Sequence, residues 1–102
     1  MSYMLVLQFD AQTLSDYDTL IAFEDRISEA ISSVDEVDGH DMGGNEMNIF
    51  IMTESPKAAL ERVMIAVPEL KDQNDFKAAF RLLDGEQYTA LWPNNLIGFS
   101  VK

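Results

Sequence analysis

The sequence predicts an α+β fold built on an antiparallel sheet, and three observations lead to this prediction. The chain has 102 residues, the size of one domain with a small core. Hydrophobic residues make up 47% and charged residues 25%, as in globular rather than disordered proteins. Segments with the two-residue apolar repeat of a strand alternate with two segments that have the apolar repeat of a helix. Residues 1–102 are therefore expected to form a single domain.

The first predicted elements are a strand and a helix. Residues 3–9, YMLVLQF, form a short apolar run bounded by polar residues, which is typical of a largely buried strand. Residues 16–33 have apolar side chains at spacings of three and four, and Ser15 or Asp16 can serve as the N-cap. The apolar positions of this amphipathic helix are Leu20, Phe23, Ile27, Ala30 and Ile31.

A β-hairpin and a second helix follow. Residues 34–42 and 46–53 are predicted to form two strands joined by a turn at residues 43–45, Gly-Gly-Asn. Ser55 and Pro56 suit the N-cap and first position of the second helix. The buried stripe of this helix is expected to contain Ala59, Leu60, Val63, Met64 and Val67.

The last third of the chain predicts a β-hairpin. After a polar, loop-like link, residues 76–83 alternate apolar and basic side chains, and Asp84-Gly85 suits a turn into a further strand at residues 86–92. Trp92 is expected to cap the core, and residues 96–101 are expected to add a short final strand. The resulting β-α-β-β-α-β order favours a ferredoxin-like fold. Such a fold has an antiparallel sheet with both helices on one face, here extended by an extra C-terminal hairpin strand.

The sheet face without helices is predicted to be unusually apolar. Alternation along the strands places one set of side chains away from the helices. This set contains Met4, Val6, Phe50, Met52, Ala79 and Leu83. Because such a surface is more apolar than a solvated sheet face, something is expected to cover it. A second copy of the chain is the leading expectation, giving a homodimer through this face. The alternatives are residues 92–102 folding back and a small apolar ligand.

The net charge of −11 is confined to one half of the sequence. Residues 1–54 contain twelve acids and a single base, whereas residues 55–102 contain six of each. The negative field disfavours nucleic acids and membrane surfaces as partners. The excess of acidic residues serves either solubility alone or electrostatic steering toward a basic protein partner. The acidic face expected to meet such a partner contains Asp16, Asp18, Glu24, Asp25, Glu29, Asp35 and Glu36.

Several classes of protein are excluded or disfavoured by composition. The absence of cysteine excludes disulfides, cysteine-based zinc sites and thiol nucleophiles. No apolar run approaches the roughly 20 residues of a membrane helix. The N-terminal sequence lacks the basic region and cleavage site of a signal peptide, so the expected location is cytoplasmic. No phosphate-binding loop or catalytic triad spacing is present, and we expect no cofactor.

His40 is the only histidine of the chain and lies among Asp38, Asp41 and Glu46. Imidazole and carboxylate groups can bind metals or act as an acid–base pair. Along a strand, however, Asp38 and His40 share one face while Asp41 points to the other, so these groups do not converge. No metal site and no catalytic residue are predicted.

The length of the turn decides which side chains accompany His40. A two-residue turn would place His40 and Met42 on the helix side with Met47, whereas a three-residue loop would shift the register by one. The longer loop is favoured, because it keeps Val37 on the helix side. It predicts a candidate ligand or partner site on the open face formed by His40, Glu46, Asn48, Phe50 and Met52.

This hairpin resembles a known signature. The string GHDMGGNEMNIFI resembles the Gly-His-Asp-x-Gly-x-x-Glu-Met-Asn-Ile-Phe-Ile motif of small uncharacterised bacterial α+β proteins. Asn45 departs from the pattern by replacing a turn glycine, and the string YTALWP further along the chain extends the resemblance. The matching positions are Gly39, His40, Asp41, Gly43, Glu46, Met47, Asn48, Ile49, Phe50 and Ile51. The resemblance implies a bacterial cytoplasmic protein and no particular activity.

Two functions are therefore expected at this point. The first is a small acidic binding protein that recognises a protein partner, such as an immunity or antitoxin-like inhibitor of a basic toxin. The second is a small enzyme or ligand-binding domain, whose pocket would lie on the open sheet face around His40, Glu46 and Asn48. The side of the sheet on which His40 lies discriminates between them.

Overall fold

The computed structural model of the chain describes residues 2–11, 14–72, 75–93, 96, 98, 99 and 101. Their elements are, in order, β1 (Tyr3–Asp10), α1 (Leu14–Ile31), β2 (Glu36–Gly43), β3 (Glu46–Thr53), α2 (Pro56–Ala66), a 3₁₀ helix (Pro68–Asp72), β4 (Lys77–Leu82) and β5 (Thr89–Trp92). The five strands form one sheet in the order β2-β3-β1-β4-β5, and every neighbouring pair is antiparallel. The predicted α+β class is confirmed.

The core lies between one face of the sheet and both helices. Leu5, Leu7 and Phe9 of β1 point toward the helices and are buried, as the alternation predicts. The Phe9 ring stacks on Phe76 at a centroid distance of 5.2 Å and lies 6.5 Å from Phe23 of α1. Burial of each such side chain contributes roughly 1.5 to 3 kcal/mol, so this cluster fixes the helices on the sheet.

The helix boundaries differ slightly from the sequence-based prediction. The first helix begins at Leu14 rather than near Asp16, so the predicted N-cap at Ser15 or Asp16 is wrong and both residues lie in its first turn. Ser55 is the N-cap of α2 as predicted, with Pro56 following, although its side chain forms no capping hydrogen bond. The predicted loop after α2 contains a 3₁₀ helix, because Leu70 is buried in the core and anchors it.

The C-terminal strands are shorter than predicted. Only residues 89–92 of the predicted 86–92 pair with β4, and a register shift lies between Ala78 and Ala79. Of the final strand predicted at residues 96–101, positions 97 and 100 lie outside the described residues. The others belong to no strand.

Part of the second sheet face is buried within the chain itself. Val6 and Ala79 have 0% exposure and Met4 has 7%, although none of them belongs to the cluster packed against the helices. Beyond β5, the Phe99 ring lies 5.0 Å from the ring of Tyr88, and Leu96, Phe99 and Val101 are half-buried. Three positions of the predicted apolar face are thus covered by the chain itself, without a second copy. The homodimer through that face remains a prediction, but its original reason is lost.

Candidate functional site

The β2–β3 hairpin has a two-residue turn. Gly44 and Asn45 have φ angles of 60° and 65°, and Gly43 pairs with Glu46 across the turn. Positive φ at both central positions is the type I′ geometry, whose twist matches that of the flanking strands. The predicted three-residue loop is therefore wrong.

The extra residue of the hairpin lies in β2 instead of the turn. The register shifts between Val37, which pairs with Ile51, and Gly39, which pairs with Phe50. Asp38 is thus a β-bulge, and Gly39 accommodates it with a φ of 136° that other residues rarely adopt. The bulge returns Val37 to the helix side, which is what the longer loop was expected to achieve.

His40 consequently lies on the helix side of the sheet. It pairs with Ile49, and its Nδ1 atom lies 2.9 Å from both carboxylate oxygens of Glu24 in α1. Its side chain is 35% exposed, because β2 is the edge strand and α1 covers it only partly. The predicted grouping of His40 with Glu46 and Asn48 is wrong, because those two residues occupy the opposite face.

A buried polar network occupies that opposite face. Gln8 Nε2 donates to Asn48 Oδ1 at 3.1 Å, and Asn48 Nδ2 donates to Glu46 Oε2 at 3.0 Å. The three residues are buried, and Gln8 and Glu46 take part in further interactions. Phe50 and Met52 follow on the same face and are half-buried. Four of the five predicted site residues thus lie on one face.

This network is a structural feature of the sheet. Within the described part of the chain, no buried side-chain nitrogen or oxygen lacks a hydrogen-bond partner. Each buried amide atom of the network therefore has at least one partner, and such bonded groups rigidify their surroundings. The same described residues contain no group of three or more histidine and acidic side chains placed to hold a metal ion.

Exposed acids lie on α1 and on the neighbouring edge strand β2. Asp18, Asp25 and Glu29 are exposed on α1 at spacings of seven and four, which places them along its outer side. We call these three residues together with three exposed acids of β2 the α1–β2 acidic surface. The three acids of β2 are Glu36, Asp38 and Asp41. Glu36 pairs with Met52 and Asp41 with Asn48, so these two side chains point to the sheet face opposite α1 and lie at the same edge of the molecule as the acids of the helix. Asp16, also predicted to belong here, is exposed at the start of α1.

Two residues of the predicted acidic face are already engaged within the chain. Asp35 is buried, with a side chain only 2% exposed, and its Oδ2 accepts bonds of 2.6 and 3.2 Å from Arg62 of α2. Glu24 is half-buried and bound to His40. The placement of Asp35 on an exposed face is wrong, because this carboxylate joins the end of α1 to α2.

Arg26, the one base among residues 1–54, is bound as well. Its guanidinium donates to both carboxylate oxygens of Glu69, at 2.7 and 3.1 Å, and to the carbonyl oxygen of Ala66 at 3.0 Å. The hydrogen bond from Arg26 lowers the pKa of Glu69 to about 2. Because Arg26 is paired with Glu69, residues 1–54 contribute no unpaired lysine or arginine to the α1–β2 acidic surface.

Sequence reasoning did not predict a groove beside α2. Its walls are formed by Leu60, Glu61, Met64, Ile65, Lys71 and Trp92, and its volume is about 360 Å³. Trp92 was expected to cap the core, and it does pack half-buried against it. The sequence feature that could have indicated this groove is Ile65, an isoleucine outside the predicted buried stripe of α2.

Comparison with known proteins gives no relative. No protein-family profile, no curated protein and no solved structure matches the chain. Neither helix in the described part of the chain has the length and apolar character needed to cross a membrane.

Proposed function

We propose that the chain is a small acidic binding protein that recognises a basic region of a protein partner through its α1–β2 acidic surface. The observation that carries this proposal is the spatial separation of charge. The acid-rich first half supplies β2 and α1 at one edge of the sheet, whereas the electrically balanced second half supplies β4 and β5 at the other. A one-sided field of this kind orients an approaching basic partner and accelerates its association.

A competing explanation for the acids is protection of the edge strand. Charged side chains and a bulge on β2 discourage pairing with other chains. That explanation accounts for Glu36, Asp38 and Asp41, but not for the outer side of α1, which has no strand edge to protect. The acids of α1 are therefore the part of the surface that best supports partner binding.

We further propose that the fold is ferredoxin-like and that the protein is cytoplasmic and bacterial. The order β2-β3-β1-β4 and the antiparallel pairing support that fold, with β5 added beside β4. The cysteine-free composition and the resemblance of the hairpin support the location and origin. An immunity or antitoxin-like inhibitor of a basic toxin is the concrete case that this charge distribution favours.

The enzyme or ligand-binding alternative loses the site on which it depended. It required His40, Glu46 and Asn48 to converge, and His40 lies on the other face of the sheet. The remaining two residues are buried and bonded to each other.

The test compares two variants with equal changes of net charge. The surface variant carries Asp18→Asn, Asp25→Asn and Glu29→Gln, all on exposed positions of α1. Proteins retained by the immobilised wild-type chain from the native host are identified and purified, and their affinities for both variants are measured at several salt concentrations. We expect the surface variant to bind at least about tenfold more weakly at low salt, with the difference shrinking as salt rises.

The matched control carries Asp72→Asn, Asp84→Asn and Glu86→Gln, which are exposed acids of the second half. It should bind nearly as tightly as the wild type, because its substitutions lie outside the α1–β2 acidic surface. Equal weakening by both variants would show that binding depends on net charge alone and not on the α1–β2 acidic surface. Binding to every basic candidate that does not change with salt would refute the proposal.

A further inference from the structure

The groove beside α2 exists because the sheet has more strands than two helices can cover. An α-helix is roughly 10 Å wide and neighbouring strands are about 4.8 Å apart, so two helices cover about four strands. Strand β5 is a fifth, and it leaves the helix side of the sheet uncovered beside α2. The groove of about 360 Å³ between α2, Lys71 and Trp92 occupies this place.

A large exposed apolar side chain stands at the rim of this groove. Ile65 is 79% exposed, more than any other large apolar residue described as exposed. It follows Lys57 and Glu61 along the solvent side of α2, whereas Leu60 and Met64 beside it are buried. A projecting isoleucine next to an apolar groove is self-complementary, which is the property that a two-fold interface requires.

Charge favours a second copy as the occupant. All residues of the groove belong to the second half of the chain, in which acids and bases balance, and the α1–β2 acidic surface lies at the opposite edge of the sheet. Two copies can therefore meet here with little repulsion. Glu61 and Lys71 line the same groove, and within the described residues neither forms an ion pair. A two-fold axis would bring Glu61 of one copy toward Lys71 of the other.

We propose that this groove is the contact surface of a homodimer, in which Ile65 of each copy enters the groove of the other and packs against Trp92. This surface differs from the sheet face on which the sequence predicts a dimer. The proposal is independent of the proposed function, because it concerns the opposite edge of the molecule.

The experiment measures association and groove burial together. Sedimentation equilibrium gives the dissociation constant, and the emission of Trp92, the only tryptophan, reports on the groove itself. The test variant is Ile65→Lys, whose cation suits the last turn of α2 and whose position is exposed, so the fold is retained. The control is Val34→Lys, because Val34 is 65% exposed and lies outside the groove.

We expect a wild-type dimer whose Trp92 emission shifts to the blue as the protein concentration rises. Ile65→Lys should weaken association at least about tenfold and remove that shift, while Val34→Lys should change neither. Glu61→Lys should also weaken the dimer, and adding Lys71→Glu should restore part of the loss. A wild-type chain that stays monomeric up to about 1 mM would overturn the proposal. A dimer whose dissociation constant is unchanged by Ile65→Lys would overturn it as well.

Discussion

His40 and Asn48 lie in the same hairpin but on opposite faces of the sheet, and their environments differ accordingly. His40 meets one carboxylate at the edge of the helix layer, with its side chain 35% exposed. Asn48 is 2% exposed and joins two other polar side chains. His40 thus takes part in a contact near the surface. Asn48 instead holds together a buried polar network on the other face of the sheet.

Removing the central member of the buried network should destabilise the protein markedly. Asn48→Ala deletes two hydrogen bonds whose partners are buried, so we expect the free energy of unfolding to fall by about 2 to 3 kcal/mol in urea denaturation. Asp41→Asn is the control, because Asp41 pairs with Asn48 across the strands but is exposed. Its effect should stay within about 0.5 kcal/mol. Equal effects of the two substitutions would contradict the network.

The contact between His40 and Glu24 fixes the tautomer of the imidazole. An ionised carboxylate only accepts hydrogen bonds, so Nδ1 must carry the proton when His40 is neutral. Nitrogen-15 NMR of the ring should therefore show a protonated Nδ1, and Glu24→Gln should reduce this preference. A ring protonated mainly at Nε2 in the neutral wild-type protein would contradict the contact.

Sequence reasoning reached the faces of most strand residues but not the register of this hairpin. Alternation is a local property, so the inward side chains of β1 and β3 followed from their spacing. Turn length did not follow, because Gly43, Gly44 and Asn45 all tolerate positive φ and allow either loop. The bulge at Asp38 satisfied the requirement that Val37 face the helices, and no local pattern signals where such an extra residue will lie.

Among the elements, α2 is tied to the link between α1 and β2 by an ion pair whose carboxylate, Asp35, is buried. Removing the Arg62 guanidinium by Arg62→Met keeps much of the stem but leaves Asp35 charged and buried, so unfolding free energy should fall by about 3 kcal/mol. Asp35→Asn should cost less, about 1 kcal/mol, because the amide keeps an acceptor and the freed guanidinium is partly solvated.

Lys57→Met provides the control for this ion pair, since it makes the same charge change at an exposed position of α2. Thermal or urea unfolding should show a change within about 0.5 kcal/mol. If Arg62→Met proved as mild as Lys57→Met, the ion pair would not hold α2 against β2.

The contact between α1 and the 3₁₀ helix should make stability depend on acidity. Arg26 depresses the pKa of Glu69 from an ordinary 4.5 to about 2, so the contact stabilises the fold fully above pH 4.5 and this contribution is lost as the pH falls toward 2. Carbon-13 NMR should find the depressed pKa, and Arg26→Gln should raise it.

A stability comparison checks the same contact. The difference in unfolding free energy between wild type and Glu69→Gln should be present at pH 6 and shrink by pH 2, where the wild-type carboxyl is itself becoming neutral. A difference that stays constant over this range would show that Glu69 does not titrate as the Arg26 contact requires.

Element types followed from the sequence more readily than element ends. Residues 46–53 form β3 as predicted, because β-branched and apolar residues fill it and a turn and Ser55-Pro56 bound it. The start of α1 and the 3₁₀ helix did not follow. The 3₁₀ helix depends on tertiary packing, because the buried Leu70 anchors it.

At the scale of the whole molecule, the strand order converts a charge asymmetry in sequence into one in space. Residues 1–54 supply the β2 and α1 side, and residues 77–92 supply the opposite edge of the sheet. We propose that one edge binds a basic partner and that the other binds a second copy. Such a molecule could bind both at once, because the two surfaces do not overlap.

The most direct test of the central claim is NMR mapping of the wild-type, nitrogen-15-labelled chain with the basic partner recovered from the native host. We predict that backbone amides of α1 and β2 shift on addition of the partner, those near Asp18, Asp25 and Glu29 most strongly, and that the shifts weaken as salt rises. Shifts concentrated in β4 and β5, with α1 unaffected, would contradict the account.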